Sequence, residues 1–193
     1  MDNKKLLFIG FFALVVVAQW FIPLQMITEQ EDILNTGKLY KFKTAPIDPY
    51  DAFRGKYIYL NYANNEVKIT NNEKFAYDDD VFVQLKDSSG YALIQSVSKK
   101  EPNSGDYVKG KISYSNTNNY RKTVGVQYPF DRFYMNEYKA ESAETAYNEA
   151  NRIPNQKTYA LVVIKKGKEV IKDVLINNIS VQVLAKNKRN SQK

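Results

Sequence analysis

"TAPIDPYDAFRGKYIYLNY", Thr44 to Tyr62, sets proline, aspartate and arginine directly against a run of alternating aromatic and aliphatic residues. Pro46 and Pro49 bias Ala45 and Asp48 toward extended backbone, and Asp48 or Asp51 can accept hydrogen bonds from amides one or two residues onward. A preset corner is predicted. Gly55 supplies a permissive backbone position, after which Tyr57, Tyr59 and Asn61 alternate with Ile58, Leu60 and Tyr62 across the two faces of a strand. Arg54 is near enough in sequence to pair with Asp48 or Asp51 and lock the corner. As a second reading, the same charged rim beside tyrosine rings suits recognition of a partner or a polar ligand. Acid–base catalysis by the carboxylates ranks third, because sequence alone places neither of them in a cleft.

Around this stretch the chain keeps reading as β structure. It has 15 Tyr and 10 Phe among 193 residues and only 8 Gly, a composition that fits pleated, half-buried surfaces better than helical bundles. Strand-like runs bounded by turn residues are predicted at Leu39 to Thr44, Lys56 to Tyr62, Val81 to Lys86, Tyr91 to Val97, Tyr107 to Tyr114, Thr123 to Tyr128, Thr158 to Lys165 and Val170 to Leu184. "DSSG" at Asp87 to Gly90 and "KKGKE" around Gly167 predict hairpins, and "INNIS" at Ile176 to Ser180 a bend, bulge or turn. Asn136 to Pro154 breaks the pattern. It is rich in Ala and Glu and predicts a helix whose face carries Tyr138, Ala143, Ala146, Tyr147 and Ala150. The fold class expected is mainly β, an antiparallel sandwich or partly open barrel with one short α-helix, preceded by an N-terminal transmembrane helix.

That helix is read from "MDNKKLLFIGFFALVVVAQWFIPLQMI". Leu6 to Ile27 would rise roughly 33 Å, close to the hydrocarbon thickness of a bilayer, with Trp20 and Phe21 suited to the far interface. A cleaved signal sequence is the competing reading. However, Ala18 is followed by the bulky pair Gln19 and Trp20, and no Cys is available for lipidation. A retained anchor is therefore expected. Lys4 and Lys5 bias the N-terminal flank toward the cytoplasm, leaving the following domain outside it. The resulting layout is a cytoplasmic flank 1–5, a transmembrane anchor 6–27, a connector 28–35, a β-rich domain 36–185 and a basic tail 186–193.

The absence of Cys and His removes disulfides, thiolate metal sites, the commonest metal ligand and the commonest general base. The net charge of +7 is partly terminal, and the remaining basic residues are interleaved with acids, so no nucleic-acid-binding stripe is read. "YDDD" at Tyr77 to Asp80 lacks the spacing of a calcium loop and reads as a solvated turn. No metal, cofactor or catalytic residue is assigned.

The opening stretch resembles the signature of the GDYXXLXY family of bacterial proteins, on Gly55, Tyr57, Leu60 and Tyr62 preceded by Pro46, Asp48, Pro49, Asp51 and Arg54. "EPNSGDYVKGKI" resembles that family's mid-domain strand. "RFYMNEYKAESAE" resembles its Tyr-Tyr/Phe-x-x-Glu segment, on Arg132, Phe133, Tyr134, Glu137 and Glu144. Lys56 stands where the name motif has Asp, so no acidic role is read there. The resemblance implies a single-span domain on the outer side of the bacterial cytoplasmic (inner) membrane, encoded beside a multi-spanning membrane protein; it implies no reaction.

The function expected is therefore an interaction or accessory module for an envelope or multi-spanning membrane protein. Its candidate recognition surface comprises Asp48, Asp51, Arg54, Tyr57, Tyr59, Tyr62, Arg132, Tyr134 and Glu137. The alternatives are a hydrolase working without His or Cys, through carboxylates or a Ser/Lys pair, and a β domain that binds a lipid or small ligand.

Overall fold

The computed structural model describes residues 3–46, 57–69, 73–118, 121–153 and 156–190. A long helix, α1 (Asn3–Thr36), leads into β1 (Lys38–Lys43), β2 (Tyr57–Tyr59), β3 (Glu66–Lys68), β4 (Asp80–Ser88), β5 (Tyr91–Ser98), β6 (Tyr107–Asn118), β7 (Arg121–Gln127) and β8 (Arg132–Tyr134). Then follow α2 (Glu137–Arg152), β9 (Thr158–Lys165), β10 (Lys168–Ile176), β11 (Ile179–Ser180) and α3 (Val181–Asn190). The strands form three antiparallel sheets of order β1-β9-β10-β11, β2-β8 and β3-β7-β6-β4-β5. Bridges at Thr44 to Tyr62 and at Val108 to Gly167 join the sheets to one another. Bulges in β5, β6 and β10 bend the strands, and the sheets curl into a nearly closed, barrel-like body.

Local chemistry accounts for the turns. Ser89 and Gly90 adopt φ of 55° and 82° between β4 and β5, Lys166 and Gly167 adopt 49° and 75° between β9 and β10, and Asn177 and Asn178 adopt 49° and 69° after β10. Paired positive φ values are what tight hairpins require, and Gly and Asn tolerate them best. Asn136 caps α2, its side chain accepting a hydrogen bond from the Tyr138 amide at 3.1 Å. α2 buries Ala140, Ala143, Tyr147 and Ala150, whereas Tyr138 is 81% exposed and does not belong to the packed face.

The middle of the body is aromatic. Phe42, Tyr62, Tyr128 and Phe130 are buried with ring centroids 5.0–5.6 Å apart, mostly edge to face, the geometry that ring quadrupoles favour. The Tyr62 hydroxyl donates to the Phe130 carbonyl at 2.7 Å and the Tyr128 hydroxyl to the Asn64 carbonyl at 2.9 Å, so the polar ends of both rings are satisfied.

Two segments depart from the sequence reading. Residues 28–35, expected as a connector, are the last turns of α1. The stretch expected as strand to Leu184 is strand only to Ser180, and then α3, which extends into the predicted tail. Val181 and Ala185 lie one helical turn apart and are both buried, so period 3.6 replaces period 2 there.

The end of α1 is built into the domain. Ile33 is 5% exposed, Lys165 Nζ reaches Asp32 Oδ2 at 2.5 Å and Thr36 Oγ1 at 2.7 Å, and Lys168 pairs with Glu29. Gly37 turns the chain into β1 in a space that admits no side chain: a Cβ there would stand 2.6 Å from the Ile33 carbonyl oxygen and 2.9 Å from that of Ile164.

Gly37→Ala is therefore expected to destabilise the full-length protein by about 1–3 kcal/mol, while Gly10→Ala, whose Cβ meets nothing within 4 Å, leaves the thermal midpoint unchanged. A second expectation concerns Glu169, half-buried on β10, whose carboxyl burial pushes from 4.5 up to about 7, partly offset by Lys109. The native state binds this proton more tightly than the unfolded chain does, so stability falls as pH rises from about 4.5 through 7. Thermal unfolding at pH 5.5 and pH 8 should show Glu169→Gln losing part of that slope, with a gain at pH 8 of about 1 kcal/mol after allowance for residual solvent contact.

Candidate recognition site

β2 and β8 form a two-stranded ribbon in which Tyr57 faces Tyr134, Ile58 faces Phe133 and Tyr59 faces Arg132. Alternation along each strand divides the ribbon into two faces. Ile58 and Phe133 are buried at 0% and 6% exposure, whereas Tyr59 and Tyr134 are 42% and 64% exposed. The inner pair fastens the ribbon to the core, and the outer residues form a lip on the protein surface.

The lip is internally ordered. The Tyr57 and Tyr134 rings lie 5.3 Å apart at 58°, and the Arg132 guanidinium sits over the Tyr57 ring at 5.4 Å, a cation–π arrangement. Arg132 Nε approaches Asp131 Oδ1 at 3.6 Å. The Tyr134 hydroxyl and then the Asp131 carboxylate hold the Arg132 guanidinium above its ordinary pKa, so it remains a cation at every working pH. These contacts preset the side chains that a partner would meet.

Beside the lip lies a cleft of about 530 Å³ whose lining includes Asp78, Asp80, Lys109, Lys111, Asp131 and Arg132. Acids and bases are balanced along it, and Lys111 is already paired with Asp78 at 2.9 Å. A smaller hollow of about 220 Å³ under Tyr59 shares Asp131, Gln127 and Tyr128 with it. Flat aromatic faces, one fixed cation and a charge-balanced flank suit a polar protein surface better than a simple anion.

The structure sorts the residues named from sequence. Tyr57, Tyr59, Arg132 and Tyr134 converge on the lip. Tyr62 does not: it is 5% exposed and belongs to the aromatic core, because alternation places it on the inner face with buried Ile58 and Leu60, opposite Tyr57 and Tyr59. Glu137 opens α2, exposed in its first turn, where the positive end of the helix favours a carboxylate. Glu144 lies further along α2 with its carboxyl raised by burial. Asp48, Asp51 and Arg54, with Gly55 and Lys56, lie outside the described residues. Asp131 was missed by the sequence reading; its position between Phe130 and Arg132 in a strand-poor stretch gave no periodic signal.

Stability measurements separate the core tyrosine from the lip. Tyr62→Phe strips the buried Phe130 carbonyl of its donor and is expected to cost about 1–2 kcal/mol. Arg132→Ala, at the surface, is expected to stay within about 0.5 kcal/mol of the parent protein in thermal unfolding.

Neither a curated protein nor a solved structure matches this chain. The family model described as GDYXXLXY protein matches residues 19–174, from within α1 to the buried part of β10. This span takes in the helix junction, the aromatic core and the β2–β8 lip, and the chain belongs to the GDYXXLXY family.

Proposed function

We propose that this protein is a single-span, membrane-anchored accessory domain that recognises the extramembrane surface of an envelope or multi-spanning membrane protein through its β2–β8 lip. The observation that carries the reading is the combination of exposed Arg132 and Tyr134, ordered against the half-buried Tyr57 ring, with a long apolar helix fixed to the same body. Tyrosine and arginine in preset conformations supply contact area at low entropic cost and dominate many interfaces.

The anchor reading rests on α1, whose stretch Leu7–Thr36 has a mean hydropathy of 2.3 in its most apolar window, no part of which is buried against the domain. Apolar side chains on every side of a helix belong in hydrocarbon. Lys4 and Lys5 precede it, so the amino terminus is assigned to the cytoplasm and the β domain to the outer side of the inner membrane. Anchoring confines domain and partner to one surface, which raises their effective concentration and allows a small interface to suffice.

The lip lies beyond the far end of β1. That strand leaves α1 at Lys38 and extends about 20 Å over its six residues before Thr44 bridges Tyr62. A partner engaged there is met by its loops or extramembrane domain.

A photo-crosslinking residue at Tyr134 in intact membranes is expected to capture a multi-spanning membrane protein in stoichiometric yield, and Arg132→Glu to reduce that yield about tenfold or more. Absence of an adduct, or an adduct indifferent to Arg132→Glu, would contradict recognition through the lip.

A further inference from the structure

The docking of α1 decides which part of the domain faces the bilayer. Glu29, Asp32, Ile33 and Thr36 recur at intervals of three and four residues and so share one face of the helix. Glu29 and Asp32 are bonded to Lys168 and Lys165, and Ile33 is buried. The residues they hold flank the β9–β10 turn, which is thereby folded back alongside the helix toward its apolar part.

Ile27 is the last residue of the apolar run. Glu29 lies two residues later, about 3 Å along the axis, and the headgroup region of a leaflet is about 5–8 Å deep. The turn that Glu29 and Asp32 hold therefore stands at headgroup level whenever α1 spans the membrane. Lys165 and Lys168 are matched there by the helix acids. Lys166, exposed at the turn with φ 49°, has no ion pair among the described residues.

We infer that the β9–β10 turn is the foot of the domain on the bilayer, with Lys166 bonding the phosphates of anionic lipid headgroups in the leaflet from which α1 emerges. The clamp supplies the position and Lys166 the charge. Tyr107 buttresses the turn: its ring fills the space beside Gly167, and Val108 bridges Gly167. The foot is thus rigidly continuous with β6 as well as with α1. This inference rests on the anchored reading of α1.

The chain has no native cysteine, so single labels can be placed without background. Full-length protein carrying a fluorophore at Lys166→Cys, Leu14→Cys or Tyr134→Cys would be reconstituted in vesicles of phosphatidylcholine and phosphatidylglycerol containing nitroxide-labelled lipid. The Lys166 label is expected to be quenched by headgroup nitroxide, the Leu14 label by acyl-chain nitroxide, and the Tyr134 label by neither. Quenching at Leu14 with a Lys166 label as unquenched as Tyr134 overturns the foot and leaves the anchor standing. A Leu14 label untouched by lipid overturns both. In the unlabelled protein, replacing phosphatidylcholine by phosphatidylglycerol is expected to raise the thermal midpoint by about 2–4 °C, and Lys166→Gln to abolish that rise. A rise that survives in Lys166→Gln overturns the assignment of phosphate binding to this side chain.

Discussion

Ile33 packs into the domain between two ion pairs, Asp32 with Lys165 and Glu29 with Lys168, and Gly37 then turns the chain directly into β1. Exposed ion pairs contribute little singly, but these flank a buried side chain and a backbone approach too close for any Cβ. Together they make the helix and the sheet one body. A helix of 34 residues is about 51 Å long, more than a bilayer's hydrocarbon requires, and the surplus turns are the ones that carry this junction. The domain is consequently set on a strut whose length and facing direction are written into the sequence, a different physical object from a module on a loose tether.

From that junction β1 carries the order outward. Phe42, near its end, enters the aromatic cluster with Tyr62, Tyr128 and Phe130, and the residues beside that cluster form the lip. Ile58 and Phe133 point inward while Tyr57, Tyr59, Arg132 and Tyr134 point outward, so the same alternation that secures the ribbon also displays it. The lip is stiff because its inner face is core, and preset side chains lose little freedom on binding.

The strands and hairpins were legible in the sequence because their signals are local. Thr158 to Lys165 is a strand as expected, and the turns at Gly90 and Gly167 stand where "DSSG" and "KKGKE" put them. α3 was not legible as a helix, since Val181 to Leu184 carries β-branched residues whose helical spacing emerges only with Ala185. The docking turns of α1 were read as a connector because Thr28 to Thr36 is polar overall; the three-and-four spacing of Glu29, Asp32, Ile33 and Thr36 was the available signal. At the site, alternation identified the outer tyrosines of β2 and equally set Tyr62 on the inner face with Ile58 and Leu60; what no local pattern encodes is the pairing of β2 with β8, a contact between distant residues that brings Arg132 and Tyr134 to Tyr57.

The continuity of helix and domain is tested most directly by the distance between spin labels at Gln30→Cys, on the exposed side of α1, and Ile179→Cys, in β11 opposite the last residue of β10, in full-length protein reconstituted in lipid vesicles. One narrow distance distribution, broadened when Asp32 and Glu29 are both replaced by Lys, is the predicted result. A broad or multimodal distribution in the parent protein would show the domain swinging on a flexible linker and would contradict the account.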